Sequence, residues 1–306
     1  MERIVYYFAG RKRLYVMKTT VLFAWLLFTS LMAGAKTPDF DSILSEIAWY
    51  ADIMVHAEES KHRLRAHDQL IQAVDSFLMM PGSFDVRLDS IIGFQSLYAD
   101  NFRIVTWQLR HSPDEYSYGG FIQWPDRVVG LVDNRPFLNG SAYSYYSADK
   151  WYGCVYYEII PFELHGKRYY ILMGFHAGNS LVNTKVADVL DLTGESPRLG
   201  LPVFVGNGEA RTRLILTYFD GSLVQLKYDK DLKGIVHHHL ITLPGVGPNG
   251  EALPVSDGSL EGWIFKKGNW HYEEEVYRAV PVSEPPMLEE RKVRKEEKDI
   301  LGRPRG

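Results

Sequence analysis

The strongest constraint on this chain is a period-two pattern of apolar and polar residues that recurs from about position 89 to 279. The runs FRIVTWQL (102–109), YGGFIQW (118–124), GCVYYEIIPFEL (153–164), KRYYILMGF (167–175), RTRLILTYF (211–219), LVQLKYD (223–229), GIVHHHLITL (234–243), EGWIFK (261–266) and NWHYEEEV (269–276) all carry it. They are rich in the β-branched and aromatic residues that pack well on a pleated surface. Short glycine-containing links, His165-Gly166, Asp220-Gly221 and Lys267-Gly268, stand between successive runs and read as hairpin turns, which make neighbouring strands antiparallel. Long helices do not alternate with these strands, which excludes a doubly wound parallel sheet. No repeat near 40 residues is present, so a propeller is excluded as well. A β-sandwich or a strongly coiled antiparallel sheet is expected over 83–280, with one short helix at 184–190 capped by Asn183.

A different period precedes it. Phe40, Ile43, Leu44, Ile47, Ala48 and Ala51 recur at helical spacing, and so do Leu64, His67, Leu70, Ile71, Val74, Phe77 and Leu78. The polar break at 58–63 predicts two helices within 36–82, ended by Pro81-Gly82-Ser83. Two helices alone bury too little surface, so their apolar stripes are expected to pack on the β domain, giving an α+β protein.

The ends of the chain read as non-core. VLFAWLLFTSLMAGA (21–35) is an apolar run too short to span a bilayer comfortably; it follows Lys18 and ends in Ala33-Gly34-Ala35. This is the form of a secretory signal peptide cleaved after Ala35, and Met17 opens a more ordinary leader than Met1 does. No Cys lies at the cleavage site, so a lipoprotein is not expected. The expected location is periplasmic or extracellular. At the other end, 281–306 holds seven Lys/Arg, six Asp/Glu and no aromatic residue, and is expected to be a flexible or disordered tail.

Charge narrows the partners. The whole chain has 34 basic and 38 acidic residues; taking away the five basic and one acidic of 1–35 leaves 29 against 37, a net charge of −8. That argues against nucleic acid, whose binders present basic faces, and against stable association with an anionic membrane after signal cleavage. One Cys in 306 residues excludes an internal disulfide framework. No P-loop, HExxH, EF-hand or G-x-S-x-G pattern occurs, and no cofactor is expected.

Several side chains are candidates for chemistry. His237 and His239 share one face of a regular strand and supply two ligands of a zinc or copper site, although no third ligand is located. Trp151 and Tyr152 belong to AYSYYSADKWYGCVYYE (142–158), an aromatic cluster suited either to a ligand platform or to a core with tyrosine hydroxyls at its edge. Glu158 shares the strand face of Tyr152, Cys154 and Tyr156 if the strand is regular; a half-buried carboxylate there suits a general acid, with Asp149 or Glu163 as second acid. His176 and Asn179 lie in the polar stretch GFHAGNS (174–180), which is either a ligand loop or an Asx-type turn. Cys154 reads as a buried, inert thiol.

PGSFD (81–85), FRIVTWQL (102–109), KWYGCVYYEIIP (150–161), the 166–174 strand with its loop, and FKKGNW (265–270) resemble a family of exported proteins of Bacteroidetes-type bacteria. The resemblance spans roughly residues 60–280. It implies export and no particular activity, since that family has no assigned ligand or catalytic residue. A Trp-Asp pair in that family is replaced here by Phe175 and His176, so the resemblance lends the loop no acid or metal role. Three readings follow: a non-catalytic binding or interaction protein of the bacterial envelope with an unknown ligand or protein partner, an envelope glycan or peptide hydrolase using Glu158, and a metal-binding protein using His237 and His239. The first is preferred, and with it the expectation that the protein is not an enzyme.

Overall fold

Two antiparallel helices open the described part of the chain. In this computed structural model, residues 40–135 and 141–277 are described; the expected leader, the Met17 start and the charged tail lie outside them. Helix α1 (Phe40–His56) buries Ile47, Ala51 and Met54, and α2 (Ser60–Leu78) buries Ala66, Leu70, Ala73, Val74 and Phe77. These are the i, i+3, i+4 positions of each apolar stripe. No helix among the described residues is long and apolar enough to cross a membrane.

A 3₁₀ turn (Ser83–Asp85) leads to the first sheet: β1 (Gln95–Ala99), β2 (Phe102–Ser112), β3 (Glu115–Gln123) and β4 (Val128–Val132), an antiparallel meander in that order. The second sheet starts with β5 (Tyr146–Ser147), followed by β6 (Val155–Leu164), β7 (Lys167–Ala177), β8 (Val182–Asp191) and β9 (Arg198–Leu199). The chain then begins a third sheet with β10 (Phe204–Gly206) and β11 (Glu209–Arg211). It returns to the second through β12 (Leu214–Phe219), and completes the third with β13 (Leu226–Asp229), β14 (Gly234–Leu243), β15 (Leu253–Lys266) and β16 (Asn269–Glu273). Spatial order is β5-β9-β8-β7-β6 in the second sheet, with β12 also on β8, and β11-β10-β16-β15-β14-β13 in the third. Among the described residues, all strand pairings are antiparallel except β10 on β16, and an isolated bridge between Asp133 and Trp151 is also parallel.

The α+β expectation is met, and the layers are helices, first sheet, second sheet, third sheet. Val105, Trp107, Leu109 and Phe121 of the first sheet pack against the helices. Its other face, with Phe102, Ile104, Ile122 and Trp124, packs on Tyr156, Tyr170, Leu172 and Leu190 of the second. The far face of the second sheet, with Ile160, Phe162, Ile171, Met173 and Val189, packs on Phe204, Leu226, Ile235, Trp263 and Trp270 of the third. Alternation along each strand sends successive side chains to successive cores.

Buried arginines fix the layers. Arg63 of α2 donates from Nε to the Arg110 carbonyl (2.8 Å) and from Nη1 to the carbonyls of Ala57 (2.8 Å) and Glu58 (2.6 Å), tying the helix turn to the end of β2. Arg103 of β2 donates to Gln123 Oε1 (2.9 and 2.5 Å) and to the Ser83 carbonyl (3.0 Å), anchoring the turn after α2. Arg213 is fully buried beside Asp188 of β8 (Nε to Oδ1, 3.1 Å), where the chain passes from β11 to β12.

Two links behave as expected. His165-Gly166 and Lys267-Gly268 have positive φ at both residues and join the paired strands β6–β7 and β15–β16, the geometry of a two-residue type I′ hairpin. Two other expectations are corrected. Residues 184–190 are not a helix: they are the middle of β8, which is paired along both edges and buried from Val186 to Asp191. A strand covered on both faces loses its alternation and mimics helical periodicity. Asp220-Gly221 is not a hairpin turn either, because β12 pairs with β8 while β13 pairs with β14, so the link crosses between two sheets.

Candidate functional site

Most of the expected site residues are committed to the fold. Trp151 is completely buried and donates from Nε1 to the Tyr156 hydroxyl (3.0 Å), and Tyr152 is also buried. The aromatic cluster is therefore core, not platform, at these two positions; Tyr143 and Tyr145 are its half-exposed members. Cys154 is buried, as expected, and burial pushes its thiol well above the usual range.

Glu158 does not share a face with Cys154 and Tyr156. A β-bulge inserts Tyr157 between the Tyr156–Gly174 and Glu158–Met173 pairs, which reverses the alternation there. Tyr157 and Glu158 both turn toward the third sheet. The Tyr157 hydroxyl donates to the Leu226 carbonyl (2.8 Å), and Glu158 Oε2 accepts from the Tyr228 amide (3.4 Å). Burial raises the Glu158 pKa, as a general acid requires, but the carboxylate closes the open edge of β13. Asp149 bonds Ser147 and Glu163 lies 3.6 Å from Arg168, so each expected second acid has its own local partner.

The three consecutive histidines diverge. A second bulge falls between His238 and Leu240 and interrupts the shared face of His237 and His239. Trp263 Nε1–H donates to His237 Nε2 (3.2 Å), which leaves the proton on Nδ1; that nitrogen is 3.1 Å from the His238 carbonyl and 3.4 Å from Glu261 Oε1. Tyr272 donates its hydroxyl to Glu261 Oε2 (2.5 Å), completing a network beside a cavity of about 190 Å³. His238 Nδ1 accepts from the Gln225 amide (2.8 Å), while His239 Nδ1 lies 2.8 Å from Asp257 Oδ2. Among the described residues, no group of three or more His, Cys, Asp or Glu is placed to hold a metal ion.

His176 is not in a loop. It belongs to β7, is buried between Tyr118 (ring centroids 4.8 Å apart) and Tyr152 (6.0 Å), and pairs its Nδ1 with the Gly153 carbonyl at 2.7 Å. Burial lowers its pKa to about 4. Asn179 makes the Asx-type turn instead: its Oδ1 accepts from the amides of Leu181 and Val182, both at 2.9 Å.

A cleft that the sequence reading missed lies where α1, the first sheet and the edge of the second meet. Its volume is about 530 Å³, within the usual range of small-molecule sites. Met54 and Val55 of α1 form one wall; Val155, Tyr157 and Phe175 form the opposite wall. Gln108 and Arg110 of β2 and Tyr116 of β3 supply the polar rim. On β6 the Tyr157 ring lines the cleft while its hydroxyl reaches the Leu226 carbonyl of the third sheet, and Arg63 ties the residues that follow α1 to the end of β2. No local sequence signal marks this site, since its residues come from five elements and the Gly93 turn. Compared with protein-family models, curated proteins and solved structures, the chain matches none.

Proposed function

We propose that the chain is an exported, non-catalytic binding protein of a bacterial envelope, and that the cleft between α1 and the two sheets is its capture site. One observation carries this reading: the cleft sets Met54, Val55, Val155 and Phe175 beside the polar groups of Gln108, Arg110, Tyr116 and Tyr157, whereas the expected acids and bases are occupied elsewhere. Aromatic and aliphatic side chains favour binding by burial, and the polar groups among them set orientation. Export follows from the apolar leader and its small-residue end.

Thermal shift of the purified protein against lipids, glycans and peptides of an envelope tests the reading. A saturable rise in midpoint that disappears in Gln108→Trp, where an exposed rim residue is enlarged, is the expected result. A shift unchanged by that substitution places capture elsewhere. Turnover of a bound glycan that stops in Glu158→Gln overturns the non-catalytic reading.

A further inference from the structure

Two cations beside the cleft have no anionic partner among the described residues. The guanidinium of Arg110 lines it and makes no hydrogen bond or ion pair among the described residues. Lys185 of β8 pairs with Phe175 of β7, and its Nζ lies 5.4 Å from the centroid of the Tyr157 ring; both of those rings line the cleft. Among the described residues Lys185 forms no ion pair either, and it is half-buried, so burial lowers its pKa with no described carboxylate to offset the cost. Among the described residues, the arginines that are buried have partners: Arg213 has Asp188, and Arg63 and Arg103 have carbonyls.

The cleft lining contains no carboxylate: its polar members are Gln108, Arg110 and the phenols of Tyr116 and Tyr157. Glu158, next in sequence to Tyr157, faces the Tyr228 amide. A cleft that sets an apolar wall beside two unmatched cations, in a protein that is acidic overall, is complementary to one kind of small molecule. We propose that it binds a single-chain anionic amphiphile, with the apolar chain against Met54, Val155 and Phe175 and the anionic head between Arg110 and Lys185. This deepens the binding reading above and rests on it. A guanidinium grips a carboxylate or phosphate in two-pronged fashion, while Lys185, polarised over the Tyr157 ring, adds a point charge. The remaining protein charge repels free anions, so the apolar chain is needed for affinity.

The experiment is titration calorimetry of the purified protein with four probes kept below their micelle concentrations: dodecanoate, dodecyltrimethylammonium, dodecyl maltoside and acetate. Dodecanoate is expected to bind saturably, and acetate not at all. Arg110→Gln and Lys185→Met should each weaken dodecanoate by about tenfold, the loss of one charge-assisted contact, and leave dodecyl maltoside unchanged. Both cations reach solvent, so the fold should survive; near-ultraviolet dichroism checks it, and Arg110→Lys, which keeps the charge, should recover part of the affinity. Equal binding of the cationic, neutral and anionic chains, all lost in Gln108→Trp, overturns the anionic class while leaving the cleft as a binding site. If no chain binds, or if Gln108→Trp leaves dodecanoate binding intact, the cleft reading itself fails.

Discussion

Glu158 Oε2 accepts the backbone amide of Tyr228 at 3.4 Å, so a carboxylate of the second sheet closes the edge of the third. Two residues along the same edge, the Leu226 carbonyl receives the Tyr157 hydroxyl. The two side chains reach that edge together because a bulge puts neighbouring residues on one face, something an unbroken strand forbids.

The Glu158 contact has a defined pH signature. Burial raises its pKa in the folded protein above the usual 4.5. A carboxyl that binds protons more tightly when folded favours folding at low pH, and its charge costs stability once the pH exceeds both values. Glu158→Gln keeps an acceptor for Tyr228 and removes the charge. The variant should therefore match or slightly exceed wild-type stability at pH 7 and lose that advantage below about pH 4.5, whereas Glu158→Ala should cost about 1 kcal/mol at pH 7. Urea midpoints at both pH values check this.

Acid should destabilise the protein through its buried imidazoles. His67 and His237 each accept a hydrogen bond from an indole, Trp107 Nε1 at 3.1 Å and Trp263 Nε1 at 3.2 Å, and burial lowers both pKa values. His176 falls from 6.5 to about 4. A histidine with a lowered folded pKa binds its proton preferentially when unfolded. Its contribution is intact above pH 6.5 and is lost as the pH falls toward the folded value. For His176 the loss between pH 6.5 and 4 is at most roughly 3 kcal/mol. Stability should drop over that window, with a change in Trp emission as the indoles lose their acceptors, and His176→Phe should flatten the curve. A pH-independent midpoint from 7 to 4 would contradict this.

How much of this was legible in the sequence depends on how local each signal is. Residues 234–243 coincide with β14, and the His165-Gly166 turn joins the expected strands, because period and turn chemistry are local properties. β8 was misread because a strand covered on both faces carries no alternation. β1 and β4 were missed: each has five residues and lies at a sheet edge. Reading Glu158 and His239 as site residues assumed regular strands, and a bulge at each place re-aims the side chains with no local marker. The cleft depends on Arg63 reaching the Arg110 carbonyl 47 residues away, a contact that no spacing rule encodes.

The Trp107 indole lies over Gly119, its partner across the β2–β3 ladder. A Cβ at that glycine would stand 2.3 Å from the ring. Trp107 also donates to His67 and stacks on Phe94 (centroids 4.9 Å apart), so it cannot retreat without breaking the helix–sheet contact. Gly119→Ala should therefore cost about 1–3 kcal/mol, although alanine suits a strand no worse than glycine. Chemical denaturation followed by Trp fluorescence measures it. A neutral result would show that the ring moves freely.

Asp188 and Arg213 form an ion pair shut off from solvent, with the Arg213 guanidinium carbon 4.5 Å from the centroid of the Tyr146 ring and its Nη1 donating to the Ser144 carbonyl at 3.1 Å. Desolvation cancels much of the attraction in such a pair, while a lone buried charge is far costlier. Arg213→Met alone should destabilise by about 3–5 kcal/mol because it strands Asp188, and Asp188→Leu alone should do likewise. The double variant should recover part of the loss, leaving mainly the unmatched carbonyls of Ser141 and Ser144. The double-mutant cycle, read from urea unfolding, distinguishes a pair retained for mutual neutralisation from two independent anchors. Simple additivity of the two single losses would exclude the first and make Arg213 chiefly a tether for the chain where it crosses from β11 to β12.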